Sequence, residues 1–322
     1  MKMNLTKLTM ISIVFTSSMM TVSSNNMMFS WMSMEINMIS FMPIMTDQKP
    51  YSDQPMKYFI IQSIASSLML MSIILNSMIE TPLETSIMMM TSMLMKMGLM
   101  PFHLWMPTLM SKLSWINCLL IMTIQKIPAT IIISQTINMK MLSPPMIISM
   151  IMAPISALNH LSTKKIMAYS SISNSPWMIL AMYMSKFQFS MFMMIYTTLT
   201  KMITKNFKEL NIMFINQMTT SKKKNNMNIM LNILSMSGMP PMIGFFPKWM
   251  ILQNMVYSST IMSITMILSS TISTFIYMKM IAPMMLSSMI NKKTETSKKK
   301  ISNEIIINSL GIPMILLSKT IT

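Results

Sequence analysis

Apolar residues occupy this chain in stretches of about twenty, separated by short segments where lysine, asparagine, serine and proline collect. A helix needs roughly 20 residues to cross about 30 Å of hydrocarbon, and in lipid the backbone must bond within itself, so each stretch predicts a transmembrane helix. Eleven candidates follow, near residues 4–22, 27–46, 57–79, 86–106, 115–136, 141–160, 166–184, 187–206, 227–248, 254–283 and 304–320. The expected class is an all-α polytopic membrane protein with about 11 transmembrane helices. Neither a Gly-rich linker nor a short repeat divides the chain, so residues 1–322 read as a single transmembrane domain, with a Lys-rich loop over 284–303 and a last short helix over 304–322. Lys2 and Lys7 precede the first apolar run as in a signal peptide, yet no small-residue cleavage site follows and further apolar runs do, so this run reads as the first span.

Composition agrees. Only 10% of the 322 residues are charged and 52% are hydrophobic, a balance that a water-soluble domain of this size does not normally show. Fifty-six methionines, four glycines and 25 basic residues that are all lysine point to an A/T-rich gene read with a code that enlarges the methionine set, as in animal mitochondria; the nucleotide sequence tests this. Cys118 is the sole cysteine, so neither a disulfide framework nor an iron-sulfur site can be built from this chain, and electron transfer is expected elsewhere. The net charge of +17 does not indicate nucleic acid, because the lysines punctuate apolar stretches instead of forming one exposed face with interleaved aromatics.

Lysine placement tests the span count independently. Alternating eleven spans puts eighteen loop lysines on one side, among them Lys164, Lys165 and the runs Lys222 to Lys224 and Lys298 to Lys300, against Lys140, Lys186 and Lys319 on the other. The positive-inside rule makes the lysine-rich side the one from which insertion occurs: the matrix for a mitochondrial product, with the N-terminus there and the C-terminus in the intermembrane space. The lysine runs read as solvated loop charges facing anionic lipid headgroups.

Four lysines and one carboxylate fall inside spans: Lys96, Lys126, Lys248, Lys279 and Glu35. A charge at the bilayer centre costs at least about 2.5 kcal/mol, so such groups usually face the bundle interior, pair, or line a water path. Lys279 lies near a span end, where its stem lets the ammonium reach the headgroups. Glu35 has no opposite charge on its own span, and Lys96 is the natural partner, either as a switchable pair or as a static one that fixes helix register. Lys126 and Lys248 have no carboxylate on their own or neighbouring spans. Burial disfavours the charged form of an amine, which lets a buried lysine trade its proton with ordered water, as a relay requires.

Backbone breaks accompany these lysines. Gly98, Pro101 and Pro107 follow Lys96 directly, and Gly238, Pro240, Pro241, Gly244 and Pro247 precede Lys248. Proline removes a helix donor and frees a carbonyl, which is tolerated at membrane depth only where protein or water covers it, and interrupted helices of this kind build ion sites in transporters. His103 could join a relay or be a hydrogen-bonded structural residue, and His160, beside Lys164 and Lys165, reads as structural or interfacial.

Several segments together carry a resemblance: Trp31 to Phe41, Met56 to Ser63, Lys96 to Pro107, Gln125-Lys126-Ile127-Pro128, Leu158-Asn159, Lys165 to Ile172, and Ser237 to Trp249. In order and spacing, over about residues 25–285, they resemble the antiporter-like chain 2 family of animal mitochondrial NADH:ubiquinone oxidoreductase, with compressed loops that look arthropod-like. The resemblance implies an antiporter-like fold with two broken helices, carrying Lys96 and Lys248, in a proton-pumping membrane-arm subunit of the inner membrane. It also implies roles: Glu35 as the buried carboxylate, Lys96 as the first lysine of the coupled pair, Lys126 as the central lysine and Lys248 as the lysine near the exit side. Flavin, iron-sulfur clusters and quinone then belong to other subunits, and the partners are other membrane-arm subunits and lipids. Ser156-Ala157 stands where the family usually has Gly-Gly, Pro176 replaces a customary Gly, and Ile124 a customary Trp. Two other readings of the residues stay open: a scaffold whose buried charges only hold helices in register, and a self-sufficient cation/proton antiporter.

Overall fold

A computed structural model describes residues 5–46, 53–78, 82–220, 223–290, 303–311 and 313. Among them the chain is helical, with one isolated antiparallel bridge between Ser162 and Phe214. Lys222, Lys298 to Lys300 and the part of the last expected helix beyond residue 313 lie outside the described residues.

The chain divides into two compact units, Met1–Ser149 and Met150–Thr322. The first contains α1 (Leu5–Ser23), α2 (Met27–Thr46), α3 (Gln54–Met78), α4 (Pro82–Met97), α5 (Trp105–Lys112), α6 (Trp115–Met122), α7 (Lys126–Thr136) and the first half of α8 (Met139–Leu158). Here α2 packs between α1 and α3, α3 also meets α4 and α5, and α7 lies against α1 and α4. The second unit takes the rest of α8, then α9 (Thr163–Met184), α10 (Lys186–Glu209), a 3₁₀ turn (Ile215–Thr220), α11 (Lys223–Ser237), α12 (Phe245–Ser258), α13 (Thr260–Ile290) and α14 (Asn303–Ser309). In it α10 packs on α9, α11 and α12, while α13 packs on α11 and α12 and α14 rests on α11.

Among the described residues, five helical stretches are long and apolar enough to cross a membrane: Leu5–Ser23, Gln54–Met78, Trp115–Thr136, Met139–Leu158 and Thr260–Leu286. Several expected spans are divided. The stretch 86–106 ends as helix at Met97 and resumes at Trp105, and 227–248 ends at Ser237 and resumes at Phe245. The stretch 115–136 is interrupted at residues 123–125. The run 254–283 straddles Ser259, whose extended backbone (φ −156°) separates α12 from α13, and α13 continues to Ile290, into the segment expected to be loop.

Lipid explains the distribution of side chains. Apolar residues recur on exposed helix faces, as in Met32, Ile36 and Ile39 on α2, Ile60 and Ile64 on α3, and Ile261, Ile264 and Leu268 on α13. Inward positions hold methionines, whose unbranched thioethers fill irregular gaps, for example Met69, Met93, Met110 and Met122. Serine hydroxyls are satisfied by their own helices: Ser33 donates to the Ser30 carbonyl (2.8 Å), Ser92 to Met89 (2.7 Å), Ser171 to Ala168 (2.7 Å) and Ser269 to Met266 (2.9 Å). A serine-rich sequence can thus enter hydrocarbon without exposing unpaired polar groups.

Candidate buried-lysine sites

Three sequence-predicted residues meet in the first unit. Glu35, Lys96 and Lys126 line one cavity of about 30 Å³ together with Asn37, Tyr58, Gln62, Trp105 and Gln125. That volume accommodates a water molecule or two. Helix spacing places Met34, Glu35 and Met38 of α2, and Tyr58 and Gln62 of α3, on the faces toward it. Lys126 is 2% exposed.

The expected Glu35–Lys96 ion pair takes a looser form. Both side chains line the cavity, but no Glu35 oxygen comes within the 4.0 Å of the Lys96 nitrogen that an ion pair requires. The Lys96 ammonium instead lies 3.8 Å from the Met34 sulfur. Carboxylate and ammonium therefore line the same cavity without closing into an ion pair, an arrangement that one proton or a small helix shift can change.

Each lysine stands at a helix break. Lys96 is the next-to-last residue of α4, which stops at Gly98 in the left-handed conformation (φ 67°). The Gly98 N–H donates to Met95 O (3.2 Å) and the Leu99 N–H to Leu94 O (3.0 Å), a Schellman closure in which glycine avoids the steric cost of positive φ. Trp105 Nε1–H donates to Met95 O (3.2 Å), joining the start of α5 to the end of α4.

The break at Lys126 went unpredicted. Pro128 cannot donate to Ile124 O, four residues earlier, and its ring crowds that carbonyl. Hydrogen bonding reorganises upstream: Gln125 N–H reaches Leu120 O (3.2 Å), while Lys126 and Ile127 donate to Thr123 O and Ile124 O (both 3.2 Å), so Lys126 opens α7. Gln125 anchors this irregular turn, donating from Nε2 to Asn37 Oδ1 (2.7 Å) and accepting from Tyr58 Oη (3.4 Å). Tyr58 also packs edge-to-face on Phe41 and Trp105. Tyr58 and Gln125 stood inside recognisable motifs, but their partners are 67 and 88 residues away in the chain.

Lys248 occupies a site in the second unit. Its ammonium donates to Ser237 O (3.1 Å), the last carbonyl of α11, and lies 5.9 Å from the centre of the Trp177 ring. A helix C-terminus and an aromatic face both favour a cation. Gly238 makes this possible: its φ is +81°, and a Cβ there would come within 3.2 Å of the Lys248 nitrogen. A cavity of about 20 Å³ borders Lys248, Asn174, Tyr196 and Ser235.

The remaining candidates lie apart from these cavities. His103 Nδ1 is 3.2 Å from the Pro101 carbonyl within its own turn and does not line the Glu35 cavity. His160 stacks on Tyr169 at 5.3 Å, and burial, then the nearby Lys165, push its pKa down. Lys279 caps the end of α8 by donating to Leu158 O (3.0 Å), and exposed Lys205 sits 3.9 Å from Glu209 one turn on, a pair of small energetic weight.

Interrupted helices with ionisable side chains at their breaks are the arrangement from which many transporters build ion sites. The NADH:quinone oxidoreductase/Mrp antiporter transmembrane family matches residues 24–277. NADH-ubiquinone oxidoreductase chain 2 of Locusta migratoria is 38% identical over 288 residues, covering 86% of this chain and 84% of that one. The chain 2 protein of Anopheles gambiae is 34% identical over 272 residues, covering 81% and 80%. The chain belongs to this family, in its NADH-ubiquinone oxidoreductase chain 2 branch. In fold it is similar to a chain of respiratory complex I from Thermus thermophilus (TM-score 0.82, 16% identity, covering 98% of this chain and 78% of that one). It is also similar to a chain of the Mrp complex from Dietzia (TM-score 0.70, 12% identity, covering 84% and 59%).

Proposed function

We propose that this chain is a proton-translocating membrane-arm subunit of mitochondrial respiratory complex I. It crosses the inner membrane eleven times, with its N-terminus in the matrix and its C-terminus in the intermembrane space. NADH oxidation and ubiquinone reduction take place on partner subunits that hold the flavin, iron-sulfur clusters and quinone; the single cysteine here supports that division. One observation carries the reading: Glu35, Lys96 and Lys126 line one cavity large enough for water, together with Asn37, Tyr58, Gln62 and Gln125. A signal from a neighbouring subunit alters the separation of Glu35 and Lys96. The changed field biases the proton on Lys126, and Lys248 completes the sequence toward the intermembrane space.

A register-fixing scaffold calls for a closed ion pair, and the open Glu35–Lys96 spacing favours the switch instead. The test is a double-mutant cycle in the assembled complex, reading protons translocated per NADH oxidised. Glu35→Gln and Lys96→Met each lower that ratio while assembly survives, and the double variant is no worse than the worse single one. A normal ratio in Glu35→Gln ends the proposal, and loss of assembly in all three variants replaces it with the scaffold.

A further inference from the structure

Outside the lysine cavities, the second unit holds a carboxylate with an unusual set of neighbours. Glu304, in α14, accepts through Oε2 from Asn206 Nδ2 of α10 (3.1 Å) and from Asn232 Nδ2 of α11 (2.9 Å). Asn308, one turn further along α14, donates to Asn232 Oδ1 (2.6 Å). Asn232 and Asn308 are both fully buried. One carboxylate and three amides from three helices form a connected network in which only Asn308 Oδ1 lacks a partner among the buried atoms of these four side chains, and a buried network favours one arrangement because breaking it strands further polar groups.

The same helix touches the break ahead of Lys248. Within residues 238–244 the backbone hydrogen bonds are short-range turns, with one exception among the described residues: the Ile243 N–H donates to Asn308 O (3.2 Å). Gly311 lies against the same peptide, where an added Cβ would stand 2.5 Å from Met242 C and 2.6 Å from Ile243 N. The Lys248 contact with Ser237 O spans this segment.

We infer that α14 is a clamp on the helix break, with Glu304 and Asn308 as positioning residues that hold residues 238–244 so that the Lys248 ammonium meets the end of α11. The inference rests on the proton-translocation reading for its functional half. A carboxylate is not required, since an amide oxygen can accept the same two bonds.

The experiment compares Glu304→Leu and Glu304→Gln in the assembled complex. It reads deuterium exchange of the Ile243 amide together with protons translocated per NADH oxidised. Glu304→Leu is expected to raise the exchange rate about tenfold, the equivalent of roughly 1.4 kcal/mol, and to lower the proton ratio; Glu304→Gln restores both. Unchanged exchange in an assembled Glu304→Leu complex overturns the clamp, as does faster exchange with an unchanged proton ratio. Should Glu304→Leu not assemble, Asn206→Ala removes one of the two bonds, and the same two readouts decide. Lys248→Leu, run alongside, separates the two ideas: a normal proton ratio there overturns the translocation reading, whereas a reduced ratio there together with an unmoved break in Glu304→Leu overturns the clamp alone.

Discussion

Lys126→Leu in the assembled complex is expected to slow proton transfer through this subunit at least tenfold while leaving assembly intact, measured as proton translocation coupled to NADH oxidation in proteoliposomes. The magnitude follows from what a positioned proton donor or acceptor contributes, commonly 10²–10⁴-fold (about 2.7–5.5 kcal/mol) in rate. Assembly survives because leucine fills much of the space of the lysine stem and leaves Gln125, with its bonds to Asn37 and Tyr58, to hold the turn. Lys126→Arg is the sharper variant. A guanidinium keeps the charge but does not release a proton near neutral pH, so a fixed-charge role is rescued and a relay is not. Recovery of translocation in Lys126→Arg would sink the relay at this position.

Gly244→Ala is expected to be the most destructive single-methyl change in the second unit. A Cβ at 244 would sit 1.7 Å from Ser235 O and 2.8 Å from Ser235 C, both backbone atoms, with Leu199 Cδ1 at 3.3 Å. No rotamer change relieves such an overlap. The α11 end and the α12 start must separate, and the cost exceeds the roughly 1–3 kcal/mol of ordinary overpacking. The readout is the yield of assembled complex and its thermal stability. Gly98→Ala is the control: its nearest neighbour is the Trp105 ring at 3.3 Å, a side chain able to tilt, and the positive φ costs about 1–2 kcal/mol. Equal yields from the two variants would show that the close approach at 244 does not govern folding.

Hydropathy made the helical class and most helix starts readable, and glycine with proline announced two of the three breaks that lie beside buried lysines. The third was hidden for a physical reason. Pro128 disturbs the carbonyl four residues before it, so the irregular turn falls at Thr123 to Gln125, inside an apolar run without a glycine. Buried charge was likewise legible one residue at a time: a lysine in a span must be accounted for wherever it stands. What it faces is a matter of tertiary packing. Nothing near Glu35 announces that Lys96 will share a cavity with it without pairing, and nothing near Glu304 announces Asn206 and Asn232. His103 likewise stood in a recognisable motif, and only the structure shows its Nδ1 beside the Pro101 carbonyl (3.2 Å).

The serine hydroxyls that bond within their own helices have a mechanical consequence. A hydroxyl already engaged with the carbonyl three residues back stitches its helix to the next one only weakly, as where Ser72 bonds Met69 O (2.6 Å) and also reaches Met89 Sδ (3.6 Å), so a small slide along a serine and methionine seam costs little. Rivets exist elsewhere: Trp31 Nε1 to Ser66 O (3.0 Å), Asn117 Nδ2 to Ile44 O (3.0 Å), Gln125 to Asn37, and Lys248 to Ser237 O. Within each unit, stiff fastenings such as Gln125 to Asn37 and Lys248 to Ser237 O are thus set among seams that resist sliding only weakly.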